Sequence, residues 1–337
     1  MVICPTLSAM PPTPRPAQRR IAVVYNPIKV DIERLQEMVR EREASHGYAP
    51  TLWLETTPEE PGQNLARKAA TENVDAVLVA GGDGTVRAAS EGLIDSGLPM
   101  TLLPAGTGNL LARNLGISVN RMDEAVDTVF DGEDRAIDAG IATIIRPDGA
   151  EEAHAFIVMI GIGIDAKMIA ATNPELKKRV GWLAYVEAIA RIVRDVDAVR
   201  LTYTLDGSSP RSTSVHTLLV GNCGALPGGV LLMPDAEIDD GLLDIVGMRP
   251  RNFAGWVRVS TAVFWENGVL RKTRAGRRLL AGNKPVRGLR YFQGRHATLR
   301  FEKPEEFEID GEGMGLVTGV DVKVAPASLI VRAPKRK

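Results

Sequence analysis

Val77-Leu78-Val79-Ala80-Gly81-Gly82-Asp83-Gly84-Thr85-Val86 is an apolar run that ends abruptly in glycine. A second stretch, Leu102-Leu103-Pro104-Ala105-Gly106-Thr107-Gly108-Asn109, repeats the design 25 residues later. Short apolar runs closed by turn residues read as buried parallel strands, each delivering a tight loop to one edge of a sheet. Glycines at 81, 82 and 84 admit positive φ and let the backbone approach a ligand with no Cβ in between. Consecutive N–H groups in such a turn form an anion-binding concavity, and a helix starting after it adds the positive end of its dipole. Asp83 is the odd member, and it makes sense in a phosphate cradle if a divalent cation lies between the two. Twenty-five residues is one βαβ unit. Both loops therefore open on the same edge, where doubly wound sheets bind ligands.

At 337 residues the chain is long enough for two domains of ordinary size. A hydrophobic content of 45 % with 25 % charged residues is that of a globular protein. The net charge of −1 gives no bulk attraction to nucleic acid. The two cysteines, Cys4 and Cys223, exclude a disulfide framework and fit a reducing cytoplasm. No apolar stretch approaches the roughly 20 residues that a membrane span needs. Residues 1–20 carry five prolines and no apolar segment after a basic start, which predicts a disordered tail and not a signal peptide.

Along the chain the pattern first alternates. Ile21–Tyr25 reads as a strand, closed by Asn26-Pro27. Asp31 caps a helix with Ile32, Leu35, Met38 and Val39 at helical spacing, ended by Gly47. Strands at Thr51–Leu54, Val74–Ala80 and Met100–Leu103 follow. Helices are expected at Gln63–Ala70, Val86–Ile94, Asn109–Leu115 and Asp123–Phe130. This is an α/β layer with a mostly parallel sheet. From Asp138 onward strands dominate: Ile137–Ile145, Ala155–Ile162, Val199–Leu205, Ser214–Val220, Leu242–Gly247, Arg290–Gln293, Ala297–Glu302 and Phe307–Asp310. Two helices interrupt them, Val180–Val196 and Asn252–Glu266. The expected division is a tail to residue 20, an α/β domain over 21–137, a β-rich sandwich or barrel domain over 138–332 and a short tail.

Taken together, these motifs resemble the diacylglycerol kinase catalytic family, which includes bacterial soluble lipid kinases and the sphingosine and ceramide kinases. The resemblance rests on Tyr25-Asn26-Pro27, the two glycine stretches, Pro234-Asp235-Ala236-Glu237-Ile238-Asp239-Asp240-Gly241-Leu242-Leu243-Asp244 and Ile309-Asp310-Gly311-Glu312. It implies an NAD kinase-like α/β domain, a β-rich second domain, and ATP between them. By matching position, Asn26, Pro27, Thr56, Gly81, Gly82, Asp83, Gly84, Thr85, Gly106, Thr107, Gly108 and Asn109 would hold the nucleotide, with Thr57 competing with Thr56. Glu312 would be the general base for a lipid hydroxyl. Asp240 and the main-chain carbonyls of Glu237 and Leu242 would hold a structural Mg²⁺, and Asp83 and Asp138 would help hold a catalytic one through water. The resemblance also implies a lipid acceptor such as diacylglycerol, met by peripheral contact with the inner face of a membrane, and pairing into a homodimer.

The residues agree with that chemistry. Phosphoryl transfer needs positioning and neutralisation of charge on the moving group, and an alcohol acceptor needs a carboxylate or similar proton acceptor. Asp-Gly at 310–311 is also common hairpin-turn chemistry, and so is Asp-Gly at 240–241. Carboxylates at 239, 240 and 244 around a glycine favour a hard cation. Several positions depart from the family pattern: Arg87 and Ala88 stand where many relatives have Asn and Glu, Leu110 where many have Asp, and Ile28-Lys29-Val30 follow Asn26-Pro27. The change at 110 leaves the acceptor lipid open. Two basic clusters, Lys177-Lys178-Arg179 before a helix with Trp182 and Tyr185, and the run Arg271 to Arg278, are candidates for contact with anionic lipid. The alternatives are a soluble-metabolite kinase of the NAD kinase type and an inactive lipid-binding module.

Overall fold

The computed structural model describes residues 19–119, 121–163, 198–226, 230–250, 255 and 288–335. The expected helices Val180–Val196 and Asn252–Glu266 (Gly255 apart), both basic clusters, Cys4 and residues 1–18 lie outside the described residues.

The first half alternates as its periodicity predicts: β1 (Ile21–Tyr25), α1 (Ile32–His46), β2 (Leu52–Glu55), α2 (Gln63–Thr71), β3 (Ala76–Gly81), α3 (Asp83–Leu93), β4 (Met100–Pro104), α4 (Leu110–Asn114) and α5 (Met122–Asp131). Asp31 accepts from the Arg34 N–H at 3.2 Å and Gly47 closes α1 at φ 69°. β1, β3 and β4 are buried on both faces. Ile21 and Val23 pack with Leu35, Val39 and Val129, and Ala22 and Val24 with Ala66, Ala89 and Leu93. A strand buried on both faces cannot alternate polar and apolar residues, which is why these stretches read as continuous apolar runs.

The second half is β-rich: β5 (Glu133–Ile145), β6 (Glu151–Phe156), β7 (Met159–Gly163), β8 (Val199–Leu205), β9 (Arg211–Val215), β10 (Thr217–Gly221), β11 (Ala225–Leu226), β12 (Val230–Leu231), β13 (Leu243–Met248), β14 (Leu289–Gly294), β15 (His296–Ile309) and β16 (Glu312–Ala333). Phe156, Ile160, Leu201, Phe307 and Val320 belong to its core. Cys223 is fully buried, a small apolar residue in use.

Three expectations are corrected, and one strand is added. Ala155–Ile162 is two strands, because the N–H groups of Ile157, Val158 and Met159 turn to the carboxylate of Asp310 instead of a neighbouring strand. Ser214–Val220 is divided at His216, whose N–H bonds to the Met248 carbonyl. Ala297–Glu302 and Phe307–Asp310 are one strand, β15, with irregular register between Arg300 and Glu305. The 22-residue β16 was not anticipated at all. Its polar and small residues conceal it in sequence, but it pairs with β15 and β5 and ends beside β4, with Val331 opposite Met100. The sheet order β14-β13-β10-β7-β15-β16-β4-β3-β1-β2 therefore runs unbroken through both halves.

Candidate active site

Strand register brings the predicted loops together. Tyr25 pairs with Glu55 and with Ala80, and Gly81 pairs with Pro104, all in parallel. The residues that follow, Asn26, Thr56, Gly82 and Ala105, thus leave the sheet at one carboxyl edge. Main-chain bonds continue the ladder there: the N–H groups of Asn26, Thr56 and Ala105 donate to the carbonyls of Ala80, Tyr25 and Gly81, each at 2.9 Å. Asn26 Oδ1 then accepts from the Ile28 N–H, so Asn26-Pro27 is a side-chain-closed turn. Thr56 is buried, whereas Thr57 is exposed with its hydroxyl accepting from the Glu60 N–H.

The two glycine loops touch. A Cβ at Gly106 would lie 2.8 Å from Gly82 Cα, and one at Gly108 would lie 2.6 Å from Asp83 Oδ2. Gly81 is equally constrained, since the buried Thr85 side chain stands 2.7 Å from where its Cβ would be. The helix after the first loop starts at Asp83, three residues earlier than periodicity indicates, with Gly82 as its N-cap. Asp83 then reaches across: Oδ2 accepts from the Asn109 N–H at 2.9 Å and Oδ1 from the Leu110 N–H at 2.7 Å. It therefore serves as the cap of α4. Asn109 sits at φ 48° and its side chain exchanges two hydrogen bonds with the main chain of Gly106. Thr107 stays exposed at the loop tip.

Glu312 arrives from the far end of the chain. Asp310 and Gly311, at φ 48° and 84°, form the two-residue hairpin between β15 and β16. The Asp310 carboxylate is buried and accepts three main-chain N–H groups, from Ile157, Val158 and Met159, at 2.8 to 3.0 Å. Burial outweighs those donors and pushes its carboxyl up to about 6. This anchor sets Glu312 over the first turn of α3, where a Cβ at Gly84 would collide with Glu312 Oε1. Glu312 also forms an ion pair with Arg87 of α3, whose other arm meets Glu91 at 3.4 Å. Asp83, Arg87, Leu110, Val158 and Asp310 line a narrow cleft beside this pair.

The Pro234–Asp244 segment lies next to β5. Asp138 is buried, and its oxygens accept from the N–H groups of Gly241 at 2.6 Å and Ala327 at 2.7 Å. Its own N–H donates to the Ile238 carbonyl, and Asn222 donates to the Asp138 carbonyl. Asp138 thus ties the segment to a bulge in β16. Asp240 Oδ1 accepts from the Leu242 N–H, while Asp239 turns outward to Arg135 at 2.7 Å. Glu237 is exposed. Asp244 is buried with Oδ1 on Gln293 and Oδ2 without a hydrogen-bond partner. Burial, with Asp240 and Asp235 nearby, pushes its carboxyl up to about 6. No cluster of three or more His, Cys, Asp or Glu side chains with metal-binding geometry occurs among the described residues.

Sequence reasoning gave no role to Asn222 or Arg87, and it read Asp310 as a hairpin-turn residue without its role as an anchor. For Arg87 a signal existed, since a cation in the second turn after a glycine cradle breaks the motif. For Asp310 and Asn222 none did, because their partners are main-chain groups more than 80 residues away.

Residues 20–142 match the diacylglycerol kinase catalytic domain, and residues 158–333 match the YegS C-terminal NAD kinase beta sandwich-like domain. A diacylglycerol kinase of Bacillus subtilis is 27 % identical over 248 residues, covering 72 % of this chain and 78 % of its own. An uncharacterized protein of Synechocystis sp. is 26 % identical over 77 % of this chain, which spans 54 % of that relative's length. A diacylglycerol kinase of Mycobacterium tuberculosis is 29 % identical over 60 % of this chain, which spans 64 % of that relative's length. Among solved structures, one of a Bacillus anthracis diacylglycerol kinase superposes with TM-score 0.66 at 17 % identity, over 95 % of this chain and 98 % of that one. Yeast NADH kinase superposes with TM-score 0.52 at 11 % identity, over 94 % and 84 %. Both establish the fold: an NAD kinase-like α/β domain with a β-rich second domain.

Proposed function

We propose that this chain, which belongs to the diacylglycerol kinase catalytic family and ends in a YegS-type β-sandwich-like domain, transfers the γ-phosphate of ATP to the hydroxyl of a lipid such as diacylglycerol. One observation carries the reading: Glu312 is seated over Gly84 at the start of α3, beside two glycine loops in van der Waals contact. Main-chain N–H groups of Gly82 to Thr85 and of Thr107 and Gly108 bind the phosphates, and the α3 dipole adds positive potential. Asn26, Pro27 and Thr56, at the same strand edge, hold the rest of the nucleotide. Glu312 takes the proton of the acceptor hydroxyl on its carboxylate as the oxygen attacks the phosphorus. The acceptor is met at a membrane surface. No helix among the described residues is long and apolar enough to cross a membrane.

Mg²⁺, when bound, supplies charge neutralisation on the transferring group. The residues fit such an ion in two ways. The buried Asp244 Oδ2 has no hydrogen-bond partner, which suits a structural ion beside Asp240 and the carbonyls of Glu237 and Leu242. Asp83 has both oxygens bonded to N–H groups, but each carboxylate oxygen keeps a further lone pair for the water of a hydrated ion. Asp138, with both oxygens engaged by Gly241 and Ala327, holds the 234–244 segment in place.

Transfer of labelled γ-phosphate from ATP with Mg²⁺ into a lipid extract tests the reading. Label is expected in one lipid class with wild type and is lost in Glu312→Gln and Asp83→Ala. Label absent from every lipid, with ATP still bound, would discard the lipid acceptor.

A further inference from the structure

We infer that Arg87 is a phosphate-binding residue that exchanges partners: it pairs with Glu312 and, when a nucleoside triphosphate binds, takes its terminal phosphate instead. The inference rests on the kinase reading above and assigns this site a residue outside its glycine loops.

Arg87 is fixed by its surroundings. It lies one helical turn beyond the Gly82–Asp83 start of α3, its side chain is 12 % exposed, and Glu91 holds it from behind at the i+4 position. Its Nε is buried with no hydrogen-bond partner, so the five-donor guanidinium is not saturated by Glu312 and Glu91. Among the described residues that line the adjoining cleft, Arg87 is the one cation. The two carboxylates that line the same cleft are already engaged, Asp83 by two N–H groups and Asp310 by three.

Glu312 occupies the place an anion would take. Its carboxylate lies against Gly84 in the first turn of α3, at the positive end of the helix dipole, and is bound by a guanidinium. A phosphate entering the glycine loops seeks the same helix terminus and the same fork of donors. Phosphate carries more charge than carboxylate and accepts guanidinium bidentately. Glu312 is 45 % exposed and stands at the tip of a hairpin, so it has solvent to move into. Partner exchange frees the proton acceptor only when the phosphoryl donor is present. The bonds that form and break in the transfer itself are unchanged: the acceptor oxygen joins phosphorus, the β–γ bridge breaks, and the hydroxyl proton goes to Glu312.

Calorimetric binding of ATP and AMP to wild type, Arg87→Gln, Glu312→Gln and the double variant tests this without any lipid. Arg87→Gln is expected to weaken ATP about tenfold or more while leaving AMP unchanged, the scale of a charge-assisted hydrogen bond. Glu312→Gln removes the competitor and is expected to tighten ATP about threefold to tenfold, an effect that vanishes when Arg87 is also Gln. Arg87→Lys keeps charge without the fork and serves if Arg87→Gln fails to fold; it is expected to fall between. Equal ATP affinity across wild type and the Arg87 variants overturns the inference, and so does an effect of Glu312→Gln that persists without Arg87. If wild type labels lipid while ATP affinity ignores Arg87, the kinase reading stands and this inference falls. If ATP binds in an Arg87-dependent way and no lipid is labelled, the inference stands and the lipid acceptor falls.

Discussion

The carboxylate of Asp83 accepts the main-chain N–H of Leu110 at 2.7 Å. With the second bond to the Asn109 N–H, it fastens the first glycine loop to the second. A charged acceptor at the start of a helix contributes about 0.5–2 kcal/mol, and a hydrogen bond to a charged group about 1.5–3 kcal/mol. Asp83→Ala is therefore expected to destabilise the protein by about 2 kcal/mol in urea unfolding with neither nucleotide nor Mg²⁺ present. A variant as stable as wild type would show that the loops hold together without this carboxylate.

Gly106 leaves no room for a methyl group. Its Cβ would stand 2.8 Å from Gly82 Cα and 3.1 Å from Asn109 Oδ1, both parts of the cradle. Overpacking of this kind costs about 1–3 kcal/mol, and here it also parts the loops. Gly106→Ala should lose stability on that scale and bind ATP far more weakly. Gly247→Ala is the comparison, since its nearest neighbour, Val215 Cγ1, would be at an ordinary 3.6 Å. Equal ATP affinity in both variants would mean that the loops open freely.

Asp310 gives the fold a signature in pH. Its carboxyl ionises near 3.8 when unexposed to the fold and is pushed up to about 6 inside it. Between those values the folded state binds more protons than the unfolded state, so the contribution of Asp310 falls as pH rises through this window. The full span is about 3 kcal/mol. Asp310→Asn should flatten the decline in unfolding free energy between pH 4 and pH 6. It should also lower stability at pH 4, because an amide cannot accept from all three N–H groups at 157–159. A pH slope identical to that of wild type would assign the dependence elsewhere.

The cation proposed for the 234–244 segment can be separated from chemistry. Mg²⁺ that binds the folded protein raises its melting temperature by mass action. Asp240→Asn and Asp244→Asn are each expected to abolish most of that rise in the absence of nucleotide, whereas Glu237→Ala, whose proposed contribution is a carbonyl, should retain it. A rise of wild-type size in both aspartate variants would place the ion elsewhere.

Local sequence determined the α/β half almost entirely. The Ile21–Tyr25, Ala76–Gly81 and Met100–Pro104 strands are apolar on both faces, and α1 carries its own cap and stop signals, so each element is specified by its own residues. The glycine loops were legible for the same reason: a need for absent side chains is written in the sequence at the point of contact. Tertiary structure alone decided the rest. β16 is polar at many positions because one of its faces is partly open, and only its pairing with β15, β5 and β4 makes it a strand. Asp310, Asp138 and Asn222 bind main-chain groups, which every sequence offers at every position, so nothing in the sequence could name their partners. The meeting of Arg87 with Glu312, 225 residues apart, exists because the β15–β16 hairpin is pinned to the bend at 157–159 over the start of α3. Side-chain periodicity reports which face of an element is buried; it holds no information about which distant turn will lie upon it.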